Sequence, residues 1–283
     1  MSIPRRVART NAPTTLHEDS IRLGRAVIMP GQWEQHDPFL ALMNDRFGAG
    51  AFGPHPHRGF ETISYVLDGQ LAHTDNLGGS GILNPGDVQW MTAGRGVVHD
   101  EQPAGEGQVH MLQLWLNLPA EQKLATPRYQ DLRGDRVPIR REPGVEVRVF
   151  AGQSGEVTGA AQTHLPVTML DIRLDAGSHF SAEVPAGDNT FVYVIRGEGH
   201  FGADAVEAGS EQILWFERIE LSTAANEAST IRIEATSNLH VLLLSGPPLN
   251  EPVAAYGPFV MNTQQQVVEA IQDYQRTGFA AAA

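Results

Sequence analysis

Residues 53–69, GPHPHRGFETISYVLDG, decide the fold. Their second half, TISYVLDG, combines β-branched and aromatic residues with a closing glycine, which is typical of a short strand that ends in a turn. Further short segments of this kind are separated by Gly, Pro, Asn and Asp; they lie at 109–119, 145–152, 167–177, 191–201 and 237–246. With 29 Gly and 18 Pro, turn signals are dense. The sequence therefore predicts an all-β protein.

A weak internal repeat divides the chain. Residues 60–94 contain a strand, a glycine turn, a second strand and a Pro-Gly-Asp turn, and residues 188–217 follow a similar order. Two copies of one β-unit fit a chain of 283 residues, with a boundary in the polar stretch 126–143. We expect domains at 1–135 and 136–283. One helix is predicted, at 262–279, with an apolar stripe of Val267, Val268, Ile271 and Tyr274, packing on the barrels.

Composition excludes several classes of function. The net charge of −13 disfavours direct nucleic-acid binding, because a phosphate backbone needs a basic surface. No apolar run approaches the length of a membrane span, and no secretory signal is recognised at the start. The absence of cysteine rules out disulfides and thiolate chemistry, and it fits a cytoplasmic protein.

The histidines suggest a metal site. His55 and His57 are two residues apart, as are His99 and Glu101, so within strands each pair projects to one face. If the two strands meet across a barrel, three imidazoles and a carboxylate converge. Such a set suits a divalent first-row metal: Fe, Mn, Ni, Cu or Zn. It would leave coordination positions open for a substrate, O₂ or water.

Spacing alone does not choose the carboxylate. Glu61 lies four residues after His57, so its parity also predicts an inward side chain, whereas that of Phe60 predicts packing. The other histidines have structural interpretations. His73 and His110 are interpreted as structural residues or hydrogen-bonding neighbours of the ligands, and five others as surface or hydrogen-bonded core residues: His17, His36, His164, His200 and His240. In the second repeat no His-x-His pair remains, so that copy is expected to be a scaffold.

The segments HPHRGFETISYVLDG (55–69) and NPGDVQWMTAGRGVVHDEQP (84–103) resemble the pirin family of bicupins, and so does YGPFVMNTQQQVVEAIQDYQRTGF (256–279). The resemblance covers most of the chain. Gly94 replaces the proline of the general second cupin motif, a departure that is itself similar to pirins. The resemblance implies two tandem cupin domains of jelly-roll type, the second degenerate. It also implies one metal ion, iron first, held by His55, His57, His99 and Glu101, with Glu61 left as a pocket residue.

The resemblance implies two functions. Some pirins are quercetin 2,3-dioxygenases, which open a flavonol with O₂ and release carbon monoxide; Glu101 would then be the base, with Glu61 in reserve. Phe47, Phe52, Trp90 and Met111 are candidates for the walls of an aromatic cleft. Other pirins are iron-dependent transcriptional co-regulators or bind metabolic enzymes. A metal- or redox-responsive protein with a protein partner is therefore the alternative, and a metal-free relic is a third.

Overall fold

The computed structural model describes residues 2–219 and 227–280, and strands dominate it. The strands are β1 (Ile3–Pro4), β2 (Val7–Asn11), β3 (Thr14–Glu18), β4 (Arg22–Ile28), β5 (Phe39–Phe47), β6 (His55–His57), β7 (Phe60–Asp68), β8 (Leu71–Asp75), β9 (Ser80–Leu83), β10 (Val88–Thr92), β11 (Val97–Pro103), β12 (Val109–Asn117), β13 (Arg128–Leu132), β14 (Ile139–Glu142), β15 (Val145–Ala151), β16 (Gln153–Ser154), β17 (Val157–Thr158), β18 (Thr168–Leu174), β19 (His179–Pro185), β20 (Asn189–Arg196), β21 (Glu198–Phe201), β22 (Val206–Gly209), β23 (Ile213–Phe216), β24 (Ala228–Ala235), β25 (Leu239–Gly246), β26 (Ala254–Tyr256) and β27 (Phe259–Met261). The helices are α1 (Trp33–His36), a 3₁₀ turn at Ala120–Gln122, and α2 (Gln264–Thr277). The predicted all-β class is confirmed.

The chain forms two compact units. The unit that carries the histidines, called the histidine unit below, comprises Thr14–Asp135 and Leu249–Ala283. It contains a seven-stranded sheet in the order β13-β10-β7-β12-β5-β4-β3 and a four-stranded sheet in the order β6-β11-β8-β9. A short hairpin, β26–β27, completes its strands.

The second unit comprises Met1–Pro13 and Arg136–Pro248. Its seven-stranded sheet has the order β14-β15-β18-β25-β20-β23-β2, and a five-stranded sheet contains β1, β19, β21, β22 and β24. Apolar side chains of both sheets form one buried cluster, to which Val147, Ile172, Val192 and Ile233 belong. This unit is built as the repeat predicted, from short alternating strands around an apolar core.

The terminal segments group differently from the predicted domains. β1 pairs with β24 and β2 pairs with β23, so residues 1–13 belong with 136–248. Residues 249–283 belong with 14–135, where α2 packs on β26 and β27. Turn residues indicate where strands end, but they carry no information on which sheet accepts a terminal strand, so sequence patterns did not predict this exchange.

Helix α2 has clear end signals. Thr263 and Gln266 form a capping box, and Gly278 ends the helix with φ +60°. Val267 and Ala270 are buried, whereas Val268, predicted to join the apolar stripe, is 44% exposed. Among the described residues, no helix is long and apolar enough to cross a membrane.

Candidate metal centre

Antiparallel pairing of β6 with β11 brings the histidines together. His99 is the register partner of His55, and the Nε2 atoms of these two side chains lie 3.0 Å apart. The ring of His57 lies 4.9 Å from each of the other two rings, centroid to centroid. One ring nitrogen from each histidine falls within 4.8 Å of the others, close enough to share one ion.

Local sequence holds β6 in place. Pro54 and Pro56 fix φ on either side of His55 and keep the segment extended. Gly59 follows with φ +88°, and a Cβ atom there would lie 1.9 Å from the carbonyl oxygen of Val260. Only glycine therefore permits the close approach of this turn to β27.

A buried lysine reinforces the same contact. Lys123 is 1% exposed, and its Nζ donates hydrogen bonds to the carbonyl oxygens of Gly59 and Val260 and to the Asn117 side chain. Burial lowers the pKa of Lys123 to about 7, opposed by the nearby charges of Glu251 and Asp37. Through these hydrogen bonds, the Lys123 amine links the backbone that follows β6 to strand β27.

Two of the imidazoles are in the neutral form that can coordinate a metal. Burial, then the neighbouring imidazoles, lowers the pKa of His57 and of His99 well below 6.5, so both rings are neutral at pH 7. The Nδ1 of His55 lies 2.8 Å from the carbonyl oxygen of Gly53; because a carbonyl only accepts, Nδ1 is the donor, and Nε2 is the nitrogen that faces His99.

Several buried nitrogens at this place have no hydrogen-bond partner within the described structure: both of His57, both of His73, and Nδ1 of His99. Burying polar atoms without partners is costly, and coordination to a cation would satisfy one nitrogen of each ligand ring. The donor set therefore fits a divalent metal.

Glu101 reaches the same place from β11. One ligand atom each from Glu101, His99 and His73 lie within 4.8 Å of one another. The Glu101 carboxylate accepts hydrogen bonds from the Ser64 hydroxyl at 2.8 Å and from the Gln113 amide at 2.6 Å. These two donors orient the carboxylate from the neighbouring sheet.

His73 is a ligand-capable group that the spacing argument did not identify. It is the register partner of Glu101 on β8, it is 1% exposed, and its Nε2 lies 3.7 Å from the Asp75 carboxylate. The parity of the LAHTD segment could have indicated it, because His73 and Asp75 share a face in the same way as His99 and Glu101.

The structure does not bring Glu61 to the cluster. Glu61 lies three residues from Ser64 on β7, so it points to the opposite face of the strand, where it accepts a hydrogen bond from the Thr92 hydroxyl at 2.6 Å. Burial raises the pKa of the Glu61 carboxyl. The expected inward side chain belongs instead to Phe60, whose ring lies 5.1 Å from that of His57. The chain turns at Gly59, which resets the parity counted from His57.

Apolar side chains line the face of the seven-stranded sheet that carries Ser64 and Gln113. Phe47 and Met111 are buried in one cluster with Phe52 packed against it, and the Phe47 and Phe52 rings are 4.9 Å apart. Trp90 shares the parity of Ile63, its register partner on β7, and so faces away with Glu61. Trp115 was not among the cleft residues predicted from the sequence, but it lies beside the cluster. Its ring is 5.5 Å from that of His57 and is partly exposed.

Other histidines have structural partners. His110 bonds the Asn44 side chain at 2.8 Å, and burial lowers its pKa to about 4. His17 pairs with Asp19 at the surface.

Comparisons with known proteins agree with this architecture. The family model described as "Pirin" matches residues 17–116, and the one described as "Pirin C-terminal cupin domain" matches residues 169–280. Pirin of Rattus norvegicus is 40% identical over 252 residues, which cover 87% of this chain and 84% of the rat protein.

Two solved structures are similar over most of their length. The crystal structure of GK1651 from Geobacillus kaustophilus has 43% identity and a TM-score of 0.86, covering 89% of this chain and all of that one. A quercetin 2,3-dioxygenase from Acinetobacter baumannii has 32% identity and a TM-score of 0.86, covering 98% and 99% of the two chains. The predicted tandem cupin fold is thereby confirmed.

Proposed function

The chain belongs to the pirin family, and from that premise we propose that it is a metal-dependent dioxygenase that cleaves a flavonol such as quercetin. The observation that carries the proposal is a pair of overlapping groups on neighbouring strands: His55, His57 and His99 form one, and His99 also belongs to the second with His73 and Glu101. The similar A. baumannii protein, described as a quercetin 2,3-dioxygenase, supports the choice of substrate class.

We assign the metal to His55, His57, His99 and Glu101. Three imidazoles and one carboxylate suit Fe, Ni, Mn, Cu or Zn, and of these we propose iron. His73 and Asp75 adjoin this set and would hold the strand geometry around it. When bound, the metal would act as a Lewis acid that favours the ionised flavonol 3-hydroxyl and brings it together with O₂.

The side chains supply binding and proton transfer. Trp115 and Phe52 are partly exposed and offer aromatic faces against which a flat flavonol would stack, and the buried Phe60 ring supports that of Trp115. Trp115, His55 and Gln113 are partly exposed whereas His57, His99 and Glu101 are buried, so this edge of the cluster faces the solvent from which substrate arrives. Glu101 would accept the proton of the 3-hydroxyl, and the Gln113 amide would stabilise whichever form results.

The test is turnover by purified protein loaded anaerobically with Fe(II) or Ni(II) and then given quercetin in air. Each flavonol consumed should take up one O₂, both of whose atoms remain in the ring-opened product, and release one carbon monoxide. His57→Ala should abolish metal content and turnover together. His17→Ala, at an exposed histidine, is the matched control and should behave as the parent.

Failure of all metal-loaded forms to consume flavonol or release carbon monoxide would overturn the dioxygenase. If the same protein binds iron at the histidines, the alternative of a redox-responsive regulator is tested next. Its Fe(II) and Fe(III) forms must then differ in affinity for a protein partner.

A further inference from the structure

A cavity of about 520 Å³ lies in the histidine unit beside helix α2. Its lining includes Arg58, Arg95, Gly96, Asp273, Arg276 and Phe279, and none of these is a candidate metal ligand. The volume is in the range of small-molecule sites, roughly 300–1,000 Å³. The cavity is open to solvent and concave, which suits a small ligand better than a flat partner surface.

The charge of this lining is positive. Three arginines face one carboxylate, Asp273, which Arg58 and Arg276 approach at 2.9 Å and 2.8 Å. Arg95 is exposed, and its side chain forms no ion pair within the described part of the chain. With Asp273 neutralised by two guanidinium groups, the remaining charge is positive, on a protein whose net charge is −13.

The arginine at the base of the cavity is held before any ligand arrives. Arg58 is 8% exposed, and its Nε donates a hydrogen bond to the carbonyl oxygen of Arg95 at 2.7 Å. Its guanidinium also lies over the Phe279 ring, 4.4 Å from the centroid. Phe279 in turn packs where a Cβ on Gly96 would stand 2.5 Å from the ring, so Gly96 makes room for this wall. Arg58 itself therefore loses little conformational entropy on binding.

We propose that this cavity binds a small anion that carries a carboxylate or a phosphate group. Guanidinium groups recognise both through paired, charge-assisted hydrogen bonds, which are stronger than neutral ones. Arg95 and Arg276 supply the exposed donors, and Arg58 supplies a fixed positive charge at the base. Leu77 and Pro127 complete the lining and would contact the body of the ligand.

Calorimetric titration with two probes, inorganic phosphate and succinate, distinguishes the two chemistries. Arg95→Ala and Arg276→Ala should each weaken binding of the preferred probe about tenfold or more, because each removes a charge-assisted bond. Both side chains are exposed, so folding should be unchanged, as checked by thermal melting. Arg232→Ala is the matched control, at an arginine 64% exposed in the second unit, and should bind as the parent does.

Amide NMR shifts supply an independent readout. The preferred probe should move the signals of Gly96, Thr277 and Phe279, and the double variant Arg95→Ala/Arg276→Ala should lose these shifts. Absence of binding by the parent up to about 10 mM, which is weaker than about −3 kcal/mol, would overturn the proposal. Equal affinity in the double variant and Arg232→Ala would overturn it as well, because binding would then not depend on the two exposed arginines of the cavity.

Discussion

Two buried glutamates offer a matched pair of variants that decides which carboxylate serves the metal. Glu101→Gln removes a carboxylate that lies beside His99 and is oriented by Ser64 and Gln113. Glu61→Gln makes the same chemical change on the opposite face of β7, where the partner is Thr92. Both side chains are almost fully buried, so packing changes are comparable.

The expected loss of metal affinity in Glu101→Gln follows from the negative charge that the substitution removes. A carboxylate 4 Å from one unit of positive charge in a partly polar protein site is attracted by about 4 kcal/mol, which is nearly three decades of affinity, and a divalent ion carries two such charges. An amide oxygen remains a weak ligand and the site relaxes, so Glu101→Gln should weaken metal binding by about 100- to 1,000-fold. Burial raises the pKa of Glu61 and so favours its neutral form, for which glutamine is a close substitute. Its variant should bind metal within about twofold of the parent.

The assay is competition for Fe(II) or Ni(II) against a chelator of known affinity, under anaerobic conditions. Elemental analysis of the protein after gel filtration gives the stoichiometry, and thermal melting of the metal-free forms reports on folding. One ion per chain is expected for the parent and for Glu61→Gln.

The opposite ranking would refute the assignment. If Glu61→Gln loses the metal while Glu101→Gln retains it, the carboxylate at the metal is not the one on β11. Equal, small effects of both variants would mean that the histidines bind the ion without a carboxylate.

Three further predictions concern stability. Gly59→Ala should destabilise the protein by several kcal/mol in urea unfolding, because φ is positive and the added Cβ meets a backbone oxygen; a change below about 1 kcal/mol would contradict this. Lys123→Met should cost about 3 kcal/mol in the same assay, since it leaves three acceptors unpaired, and unchanged stability would show that they find other donors. In metal-free protein, the pKa values of His57 and His99 are lowered by folding. Below pH 6.5 the unfolded state therefore binds protons at these two residues that the folded state does not bind. Stability present above pH 6.5 is thus lost as the pH falls. Between pH 7 and pH 5, the loss of unfolding free energy should be smaller in His57→Gln/His99→Gln than in the parent, by up to about 2 kcal/mol per site. If the unfolding free energy of both proteins depends on pH in the same way, the pH dependence does not come from His57 and His99.

Strand periodicity predicted the fold class and the grouping of the histidines. His55 with His57 and His99 with Glu101 follow from a period of two, because both pairs lie within single regular strands. The same rule failed at Glu61, because Gly59 turns the chain between β6 and β7 and resets the alternation. A parity argument holds only within one strand.

Partners from distant strands were not predictable from local patterns. Ser64 and Gln113 meet Glu101 because two sheets face one another, and His73 reaches it through the register of β8 with β11. The period of two in LAHTD could have placed His73 and Asp75 on one face, but nothing in the local pattern gives their pairing with β11. The exchange of terminal segments between units is of the same kind, since it depends on which sheet edge is available.

The bond between β6 and the C-terminal hairpin has a consequence for biosynthesis. Arg58, next to His57, shares backbone hydrogen bonds with Pro258 and Val260. A ribosome that adds about 5–20 residues per second needs roughly 10–40 s to reach β27 after it has made β6. During that interval the nascent histidine strands lack these hydrogen bonds to the C-terminal hairpin, and the whole of 136–248 is made. Metal uptake is therefore expected as a late event, after β27 has been made and has paired next to β6.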